Sequence, residues 1–130
     1  MFIVDGAHNE DAALKLRETL EHYFAGRRLI FIMGVLADKE YEEVVRQTVS
    51  LAAEVITVMT PDNPRALPAE ELANTVKKYN SHVQAAESLA AAVDLAYEKA
   101  EKEDAIVAFG SLSYLGEMTR LVWKKTGREE

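Results

Sequence analysis

The sequence predicts an α/β protein, a Rossmann-like three-layer sandwich in which helices cover both faces of a mostly parallel sheet of five or six strands. One observation is that short apolar runs of strand length recur along the chain, each continuous rather than alternating. Continuous runs are typical of strands that are buried on both faces. The other is that segments with an apolar residue every three or four positions lie between these runs, as in amphipathic helices. Because the two patterns alternate, the strands are expected to be parallel and the helices to connect them.

The apolar runs define the strands in chain order. The four clearest runs are Phe2 to Val4, Leu29 to Met33, Val55 to Met59 and Ala105 to Phe109. A shorter run, His82 to Ala85, is a weaker candidate for a further strand.

A segment with helical periodicity follows each strand. Each segment carries one apolar stripe that would pack against the sheet. The stripes are Ala13, Leu16, Leu20, Tyr23 and Phe24 in the first helix, Tyr41, Val44, Val45, Thr48 and Leu51 in the second, Leu72, Val76 and Tyr79 in the third, Leu89, Ala92, Val93, Ala96, Tyr97 and Ala100 in the fourth, and Leu115, Met118, Leu121, Val122 and Lys125 in the fifth. Asn9 is predicted to cap the first helix and Pro68 to be the first residue of the third.

Size and charge limit the classes of function. A chain of 130 residues has the size of one domain, so residues 1–130 are expected to form a single unit. The net charge of -7 repels phosphate backbones and anionic headgroups, so neither a nucleic-acid nor a membrane partner is expected. The longest apolar run, Leu29 to Met33, is far below the roughly 20 residues of a membrane span. The sequence has no cysteine, which excludes disulfides and thiolate chemistry and fits a cytoplasmic protein.

The first predicted strand leads into a candidate nucleotide contact. In open α/β sheets, ligands bind outside the carboxyl ends of the strands. Asp5 and His8 flank a Gly-Ala step at this end of the first strand. Asp5 is suited to accept hydrogen bonds from a ribose hydroxyl, and His8 to donate one to a phosphate. The alternative is an ordinary Asp-Gly turn that leads into the first helix.

Two more loops at the same predicted edge carry candidate substrate contacts. Ser111 follows the last strand and opens the last helix, where free backbone N–H groups favour an anion, or it only caps that helix. Arg65 lies in a loop with three prolines, where its guanidinium is suited to clamp a carboxylate with two parallel hydrogen bonds. The alternative is a solvated arginine or one paired with Asp62.

The sequence lacks the motifs that are typical of nucleotide-phosphate binding and of metal sites. Neither a P-loop pattern nor a Gly-x-Gly-x-x-Gly pattern occurs, so ATP chemistry by this chain alone is not expected. His8, His22 and His82 lack metal-ligand spacing, and no metal site is predicted. Lys39, beside Asp38, is interpreted as a solvated lysine at a helix start.

Taken together, four segments resemble the C-terminal domain of the folylpolyglutamate synthase/dihydrofolate synthase family, within the Mur ligase group. They are Val4-Asp5-Gly6-Ala7-His8-Asn9, Met33-Gly34-Val35-Leu36-Ala37-Asp38-Lys39-Glu40-Tyr41, Pro64-Arg65-Ala66-Leu67-Pro68-Ala69-Glu70-Glu71-Leu72-Ala73 and Ala108-Phe109-Gly110-Ser111-Leu112-Ser113-Tyr114-Leu115-Gly116-Glu117. They occur in the family's order and span nearly the whole chain. Asp62-Asn63-Pro64-Arg65 also resembles the amino-acid-selecting loop of the Mur ligase that adds diaminopimelate, but the residues that follow it favour the folate branch.

The resemblance implies an ATP-dependent ligase with magnesium as its metal. Such an enzyme phosphorylates a folate or dihydropteroate carboxylate, and the amine of L-glutamate then attacks the acyl phosphate. In the family, Asp5 would contact ATP, His8 would face the phosphates and the reacting centre, and Ser111 and Arg65 would hold the glutamate. The P-loop and the metal ligands belong to a larger N-terminal domain. Residues 1–130 are therefore expected to be a fragment of such a ligase, inactive alone.

A regulatory module is the alternative from another functional class. A phosphorylated receiver domain needs an acidic pair after its first strand and a lysine after its last. Here the first loop has Asp5 alone, and Gly110-Ser111 stands where the lysine belongs.

Overall fold

Strands and helices alternate along the chain as the sequence predicts. The computed structural model describes residues 2–5, 9–37, 41–61, 63–101, 103–110 and 116–122. The elements are β1 (Phe2–Asp5), α1 (Glu10–Tyr23), β2 (Leu29–Gly34), α2 (Tyr41–Thr48), a 3-10 turn (Val49–Leu51), β3 (Glu54–Thr57), α3 (Ala69–Val76), β4 (Val83–Ala85), α4 (Leu89–Lys99) and β5 (Ala105–Gly110). Residues 116–122 form a further helical segment, α5. None of the helices among these residues is long and apolar enough to span a bilayer.

The described strands form one parallel sheet in the order β1-β5-β2-β3-β4. The weak strand prediction near residue 83 is confirmed as β4, which lies at one edge. The predicted fold class, a parallel α/β sheet between layers of helices, is confirmed. β5 pairs with both β1 and β2, so the last strand of the chain lies between the first two.

Alternate residues of each central strand face two separate apolar layers. In β2, Phe31 and Met33 pack with α1, α2 and α3 on one face, whereas Ile30 and Ile32 pack with α4 and α5 on the other. All four side chains are fully buried. Burial on both faces explains why the sequence shows continuous apolar runs instead of alternation.

Three predicted core positions are wrong. Tyr23 ends α1 with 73% of its surface exposed, and the next residue, Phe24, packs against the core in its place. Tyr79 follows α3 in a turn, and its hydroxyl donates to Glu42 at 3.1 Å, which favours a surface position. Met59 is 50% exposed because β3 ends at Thr57 and the chain then leaves the sheet.

Helix starts follow from short-range hydrogen bonding. The Asn9 side chain accepts from the N–H of Ala12 at 2.9 Å, so the predicted N-cap is confirmed. Pro68 is the N-cap of α3 rather than its first helical residue, since its ψ of 143° is extended.

A buried carboxylate joins the amino ends of β2 and β5. Asp104 accepts from Arg28 at 2.6 Å and from the N–H of Glu101 at 2.8 Å. The N–H of Glu101, followed by the guanidinium of Arg28, lowers the pKa of Asp104 below its ordinary value of 3.8, although burial acts in the opposite direction. A carboxylate with a lowered pKa stabilises the fold above its ordinary pKa, and this stabilisation is lost as the pH falls through the lowered value.

Asp104→Asn is therefore expected to reduce the free energy of unfolding by about 1 kcal/mol at pH 7, because charge-assisted hydrogen bonds are lost. The difference between the two proteins should shrink as the pH falls through the lowered pKa of Asp104, because the wild-type carboxylate then also becomes protonated. Urea unfolding at a series of pH values measures both effects. Glu103→Gln, one residue away and exposed, is the matched control. A difference in unfolding free energy that stays constant throughout the acid range would contradict the assignment.

Candidate functional site

The chain leaves the carboxyl ends of three neighbouring strands in opposite directions. α1 after β1 and α2 after β2 pack on one face of the sheet, whereas α5 after β5 packs on the other. Since β5 lies between β1 and β2, the helix that follows it covers the opposite face of the sheet from the helices that follow its two neighbours. Such a switch in direction opens a crevice, and this is where open α/β sheets bind ligands.

Strand register aligns the ends of these strands. Asp5, the last residue of β1, is the register partner of Phe109 in β5. Gly34, the last residue of β2, is the register partner of Gly110, the last residue of β5. The loops that contain His8 and Ser111 therefore begin at neighbouring points of one edge. His8 and Ser111 themselves, and Asp38 and Lys39, lie outside the described residues.

The loop that carries Arg65 is fastened to the chain that follows β2. Leu36 and Ala66 form an antiparallel bridge. On either side of it, the N–H of Ala37 donates to the carbonyl of Arg65 at 2.7 Å, and the N–H of Leu67 donates to the carbonyl of Val35 at 3.1 Å. The loop after β3 thus turns back toward the centre of the sheet.

A local turn orients this loop further. The side-chain oxygen of Asn63 accepts from the N–H of Arg65 at 2.9 Å, and the backbone carbonyl of Asn63 accepts from the N–H of Ala66 at 3.1 Å. The Arg65 side chain is exposed. The structure thus places the backbone of Arg65, a predicted substrate contact, beside the chain that follows β2. His22 and His82, for which no metal site was predicted, are exposed on other parts of the chain.

Sequence reasoning missed a cleft beside this loop. An open cleft of about 940 Å³ lies between the end of β3, the start of α4 and the exposed side of α5. Its lining residues are Met59, Thr60, Pro61, Asn63, Glu87, Ser88, Leu89, Ala90, Glu117 and Leu121. Glu117 forms an ion pair with Arg120. The only signal in the sequence was the polar residue Thr60 directly after an apolar run.

Thr60 is unusual among the buried polar residues. It is 1% exposed, and its Oγ1 has no hydrogen-bond partner within the described part of the chain. Thr57, fully buried three residues earlier, donates its hydroxyl to the carbonyl of Ala69 at 2.7 Å and so ties α3 to β3. The two threonines can be compared directly, because both are buried and, among the described residues, only the Thr57 hydroxyl has a hydrogen-bond acceptor.

Thr60→Val is expected to raise the free energy of unfolding by about 1 kcal/mol, because a buried hydroxyl without a partner costs desolvation energy that a methyl group does not. Thr57→Val should lower it by about 1–2 kcal/mol, since a buried hydrogen bond is lost. Urea unfolding of both variants measures the difference. An equal loss in the two variants would show that the Thr60 hydroxyl is hydrogen-bonded.

Comparison with known proteins identifies the family. A family model described as Mur ligase, glutamate ligase domain, matches residues 1–112. The chain belongs to this family. The membership agrees with the resemblance found in the four loop motifs and argues against a receiver domain.

Similar proteins have folate-related names. The chain is 36% identical over 69 residues to the dihydrofolate synthase/folylpolyglutamate synthase of Bacillus subtilis, a match that covers 53% of this chain and 16% of the relative. It is 32% identical over 133 residues to a probable bifunctional folylpolyglutamate synthase/dihydropteroate synthase of Haloferax volcanii, covering 97% of this chain and 15% of the relative. Both relatives are much longer than this chain.

A solved structure supports the same assignment. The folylpolyglutamate synthase of Mycobacterium tuberculosis complexed with ADP matches 91% of this chain and 29% of its own, with a TM-score of 0.81 and 29% identity. The glutamate ligase domain described here thus corresponds to less than a third of that protein.

Proposed function

We propose that residues 1–130 are the C-terminal domain of an ATP-dependent ligase that adds L-glutamate to a folate or dihydropteroate carboxylate. The observation that carries this proposal is the alignment of three family loop motifs at one sheet edge. The β1, β2 and β5 motifs begin at strand ends that are adjacent in the sheet. The names of the similar proteins support the folate branch over the diaminopimelate branch.

On the β1 side of the crevice, we assign the nucleotide contacts. Asp5 would accept hydrogen bonds from the ribose hydroxyls, and His8 would donate to the phosphates near the reacting centre. The ADP named in the Mycobacterium tuberculosis structure supports a nucleotide as the ligand of this domain type.

On the β2 side, we assign the glutamate contacts. Arg65 would hold a glutamate carboxylate through its planar guanidinium, and Ser111 would hydrogen-bond the same substrate. The anchoring of the Arg65 loop to residues 35–37 supports this role, because it fixes the base of the arginine with main-chain hydrogen bonds.

The reaction proceeds in two steps that conserve atoms and charge. The substrate carboxylate oxygen attacks the γ-phosphorus of ATP, and ADP leaves. The glutamate ammonium group loses a proton to a base, and the free amine attacks the acyl carbon. Phosphate leaves with the second N–H proton as hydrogen phosphate, giving an amide. This chain's residues would orient glutamate and exclude water from the acyl phosphate. Magnesium would offset phosphate charge when bound.

The P-loop and the metal ligands are assigned to a preceding domain that completes the enzyme. Among the described residues of this chain, no three His, Cys, Asp or Glu side chains gather as a metal site. We therefore propose that residues 1–130 alone do not ligate, and that the whole enzyme works in the cytoplasm, where ATP is available.

A chimeric ligase tests the proposal. Residues 1–130 replace the matching C-terminal part of the Mycobacterium tuberculosis folylpolyglutamate synthase, whose superposition defines the junction. The chimera is expected to release ADP only when both a folate substrate and L-glutamate are present, while residues 1–130 alone release none. Mass spectrometry of the product measures the added glutamate.

Two results would contradict the proposal. One is a folded chimera that binds ADP but never forms the amide, and the other is ligation by residues 1–130 alone. Replacing L-glutamate by meso-diaminopimelate separates the branches, since activity with diaminopimelate alone would favour a peptidoglycan ligase. Asp5→Asn in the chimera is the residue-level control and is expected to weaken ADP binding without changing the KM for L-glutamate.

A further inference from the structure

The backbone of Arg65 is held by hydrogen bonds at both of its polar groups. Its N–H donates to the side-chain oxygen of Asn63 at 2.9 Å, and its carbonyl accepts from the N–H of Ala37 at 2.7 Å. The Arg65 side chain is exposed. Loop residues at the surface do not need two such contacts, since water can satisfy their backbone groups. The two contacts therefore hold the backbone of Arg65 in place while its side chain stays at the surface.

Different contacts hold the two sides of Arg65. After it, the bridge between Leu36 and Ala66 fastens the main chain to the segment that follows β2. Before it, the hydrogen bond comes from a side chain, that of Asn63. Pro64, which lies between Asn63 and Arg65, has no N–H to add another one. Removal of the Asn63 side chain therefore releases the N–H of Arg65 and leaves the bridge in place.

A second asparagine forms the same kind of turn and uses its amide differently. The side-chain oxygen of Asn80 accepts from the N–H of His82 at 2.9 Å. Its amide nitrogen also donates to the carbonyls of Val49 and Ala52, at 2.8 and 2.9 Å, and so ties the start of β4 to the turn before β3. Within the described part of the chain, the Asn63 side chain forms only the hydrogen bond of its own turn. The stability of the fold therefore accounts for Asn80 and leaves Asn63 unexplained.

From these contacts we infer that Asn63 is a positioning residue for Arg65. This inference rests on the proposed function, in which Arg65 holds a carboxylate of the incoming glutamate. The turn keeps the arginine backbone in the arrangement from which its guanidinium reaches the substrate. Without the turn, the loop samples other arrangements, and the affinity for glutamate falls in proportion to the fraction of molecules that remain competent to bind. Asn63 acts through Arg65 and does not bind the substrate itself.

Steady-state kinetics of the chimeric ligase test the inference. Asn63→Ala is expected to raise the KM for L-glutamate by about tenfold, corresponding to a competent fraction of about one molecule in ten. The kcat at saturating L-glutamate and the KM for ATP should stay within about twofold, since bound glutamate restores the arrangement and the nucleotide contacts lie on the β1 side. Asn63→Ser keeps a side-chain oxygen for the turn, so its KM should lie between those of wild type and Asn63→Ala. An unchanged KM in Asn63→Ala, or equal KM values for the alanine and serine variants, would overturn the inference.

A double variant distinguishes positioning from direct contact. If Asn63 acts through Arg65, adding Asn63→Ala to Arg65→Ala should leave the KM for L-glutamate within about twofold of the value for Arg65→Ala. If the amide of Asn63 binds glutamate itself, the second substitution should raise the KM by about another tenfold. The latter result would show that Asn63 is a substrate contact and not a positioning residue.

Asn80→Ala is the matched control for stability. It removes a turn of the same kind together with the hydrogen bonds to Val49 and Ala52, at the amino end of β4 and so at the opposite edge of the sheet. Asn80→Ala should therefore lower the melting temperature more than Asn63→Ala does, yet leave the KM for L-glutamate within about twofold of wild type.

A purely structural role of Asn63 predicts instead that the KM for L-glutamate follows the melting temperature in both variants. That result, with an active unmodified chimera, would overturn the inference alone. An inactive unmodified chimera would contradict the proposed function and, with it, this inference.

Hydrogen exchange of residues 1–130 tests the turn without the reaction. The amide proton of Arg65 should exchange about tenfold faster in Asn63→Ala than in wild type, because its acceptor is lost. The amide proton of Leu67, which donates to the carbonyl of Val35 in the anchored part of the loop, should keep its rate. Equal rates for Arg65 in the two proteins, or an Asn63→Ala variant that does not fold, would overturn the inference.

Discussion

Arg65→Ala in the chimeric ligase is expected to raise the KM for L-glutamate by about 100-fold, equivalent to about 2.7 kcal/mol of binding free energy. A guanidinium that holds a carboxylate through two parallel hydrogen bonds is worth this much when water is excluded. The fold should be unaffected, because the bridge and the turn that hold this loop use main-chain atoms of Arg65. Steady-state kinetics measure the KM, and urea unfolding should give a free energy within about 0.5 kcal/mol of the unmodified protein.

Arg65→Lys separates charge from geometry in the same assay. Lysine keeps the positive charge and loses the planar fork, so its KM for L-glutamate should lie between those of wild type and Arg65→Ala. An unchanged KM in both variants would remove Arg65 from the substrate site. A fall in unfolding free energy that accounts for the loss of activity would assign Arg65 a structural role instead.

Phe31→Ala is expected to cost about 3–5 kcal/mol of unfolding free energy, the largest effect on stability that we predict. Phe31 is fully buried in β2, a central strand, and its ring meets that of Phe109 edge to face, with centroids 5.1 Å apart. Truncation removes apolar contact area and leaves a cavity between the sheet and the helices on this face, which cannot collapse freely. Urea unfolding of residues 1–130 measures the loss.

Tyr23→Ala is the matched control for Phe31→Ala. It also removes an aromatic ring, but from a side chain that is 73% exposed, so the free energy of unfolding should change by less than about 0.5 kcal/mol. Similar losses in the two variants would mean that Tyr23 belongs to the core, as the apolar stripe of α1 suggested. A loss below about 1 kcal/mol for Phe31→Ala would contradict the central position of β2.

Strands buried on both faces were the part of the fold that the sequence predicted best. Leu29 to Met33 and Ala105 to Phe109 each fall one residue short of the observed strands, β2 and β5. Such runs are recognisable because every residue in them must be apolar. The third strand was placed too far along, since Val58 and Met59 continue the apolar run after the strand has ended. Apolar composition alone does not mark the point where the chain turns away.

Helix stripes were predicted well where the helix meets the sheet and poorly at its ends. Leu16 and Leu20 of α1 are buried as predicted, but Tyr23, one turn further on, is not. The apolar stripe of a helix is buried only as far as the sheet beneath it extends, and tertiary packing sets that limit. Tyrosine adds to the ambiguity, because its ring is apolar and its hydroxyl tolerates water.

The sequence predicted the loops of the candidate site and their common edge of the sheet, but not the contacts that join them. The motifs around Asp5, Arg65 and Ser111 are local in sequence, and the polarity of each after an apolar run marked it as a strand-end loop. The bridge between Leu36 and Ala66 joins residues 30 positions apart, and no local sequence pattern predicts it. The cleft beside Thr60 likewise combines three distant parts of the chain.

By itself, the sequence determined that the protein is a parallel α/β domain, because strands buried on both faces must be apolar, and it predicted ligand contacts in the polar loops at the strand ends. Only the tertiary structure decided the strand order, which inserts β5 between β1 and β2 and makes neighbours of loops about a hundred residues apart. It also decided that Gly34 and Gly110 meet, since the distance between two backbones depends on how the strands pack and not on the residues next to each glycine.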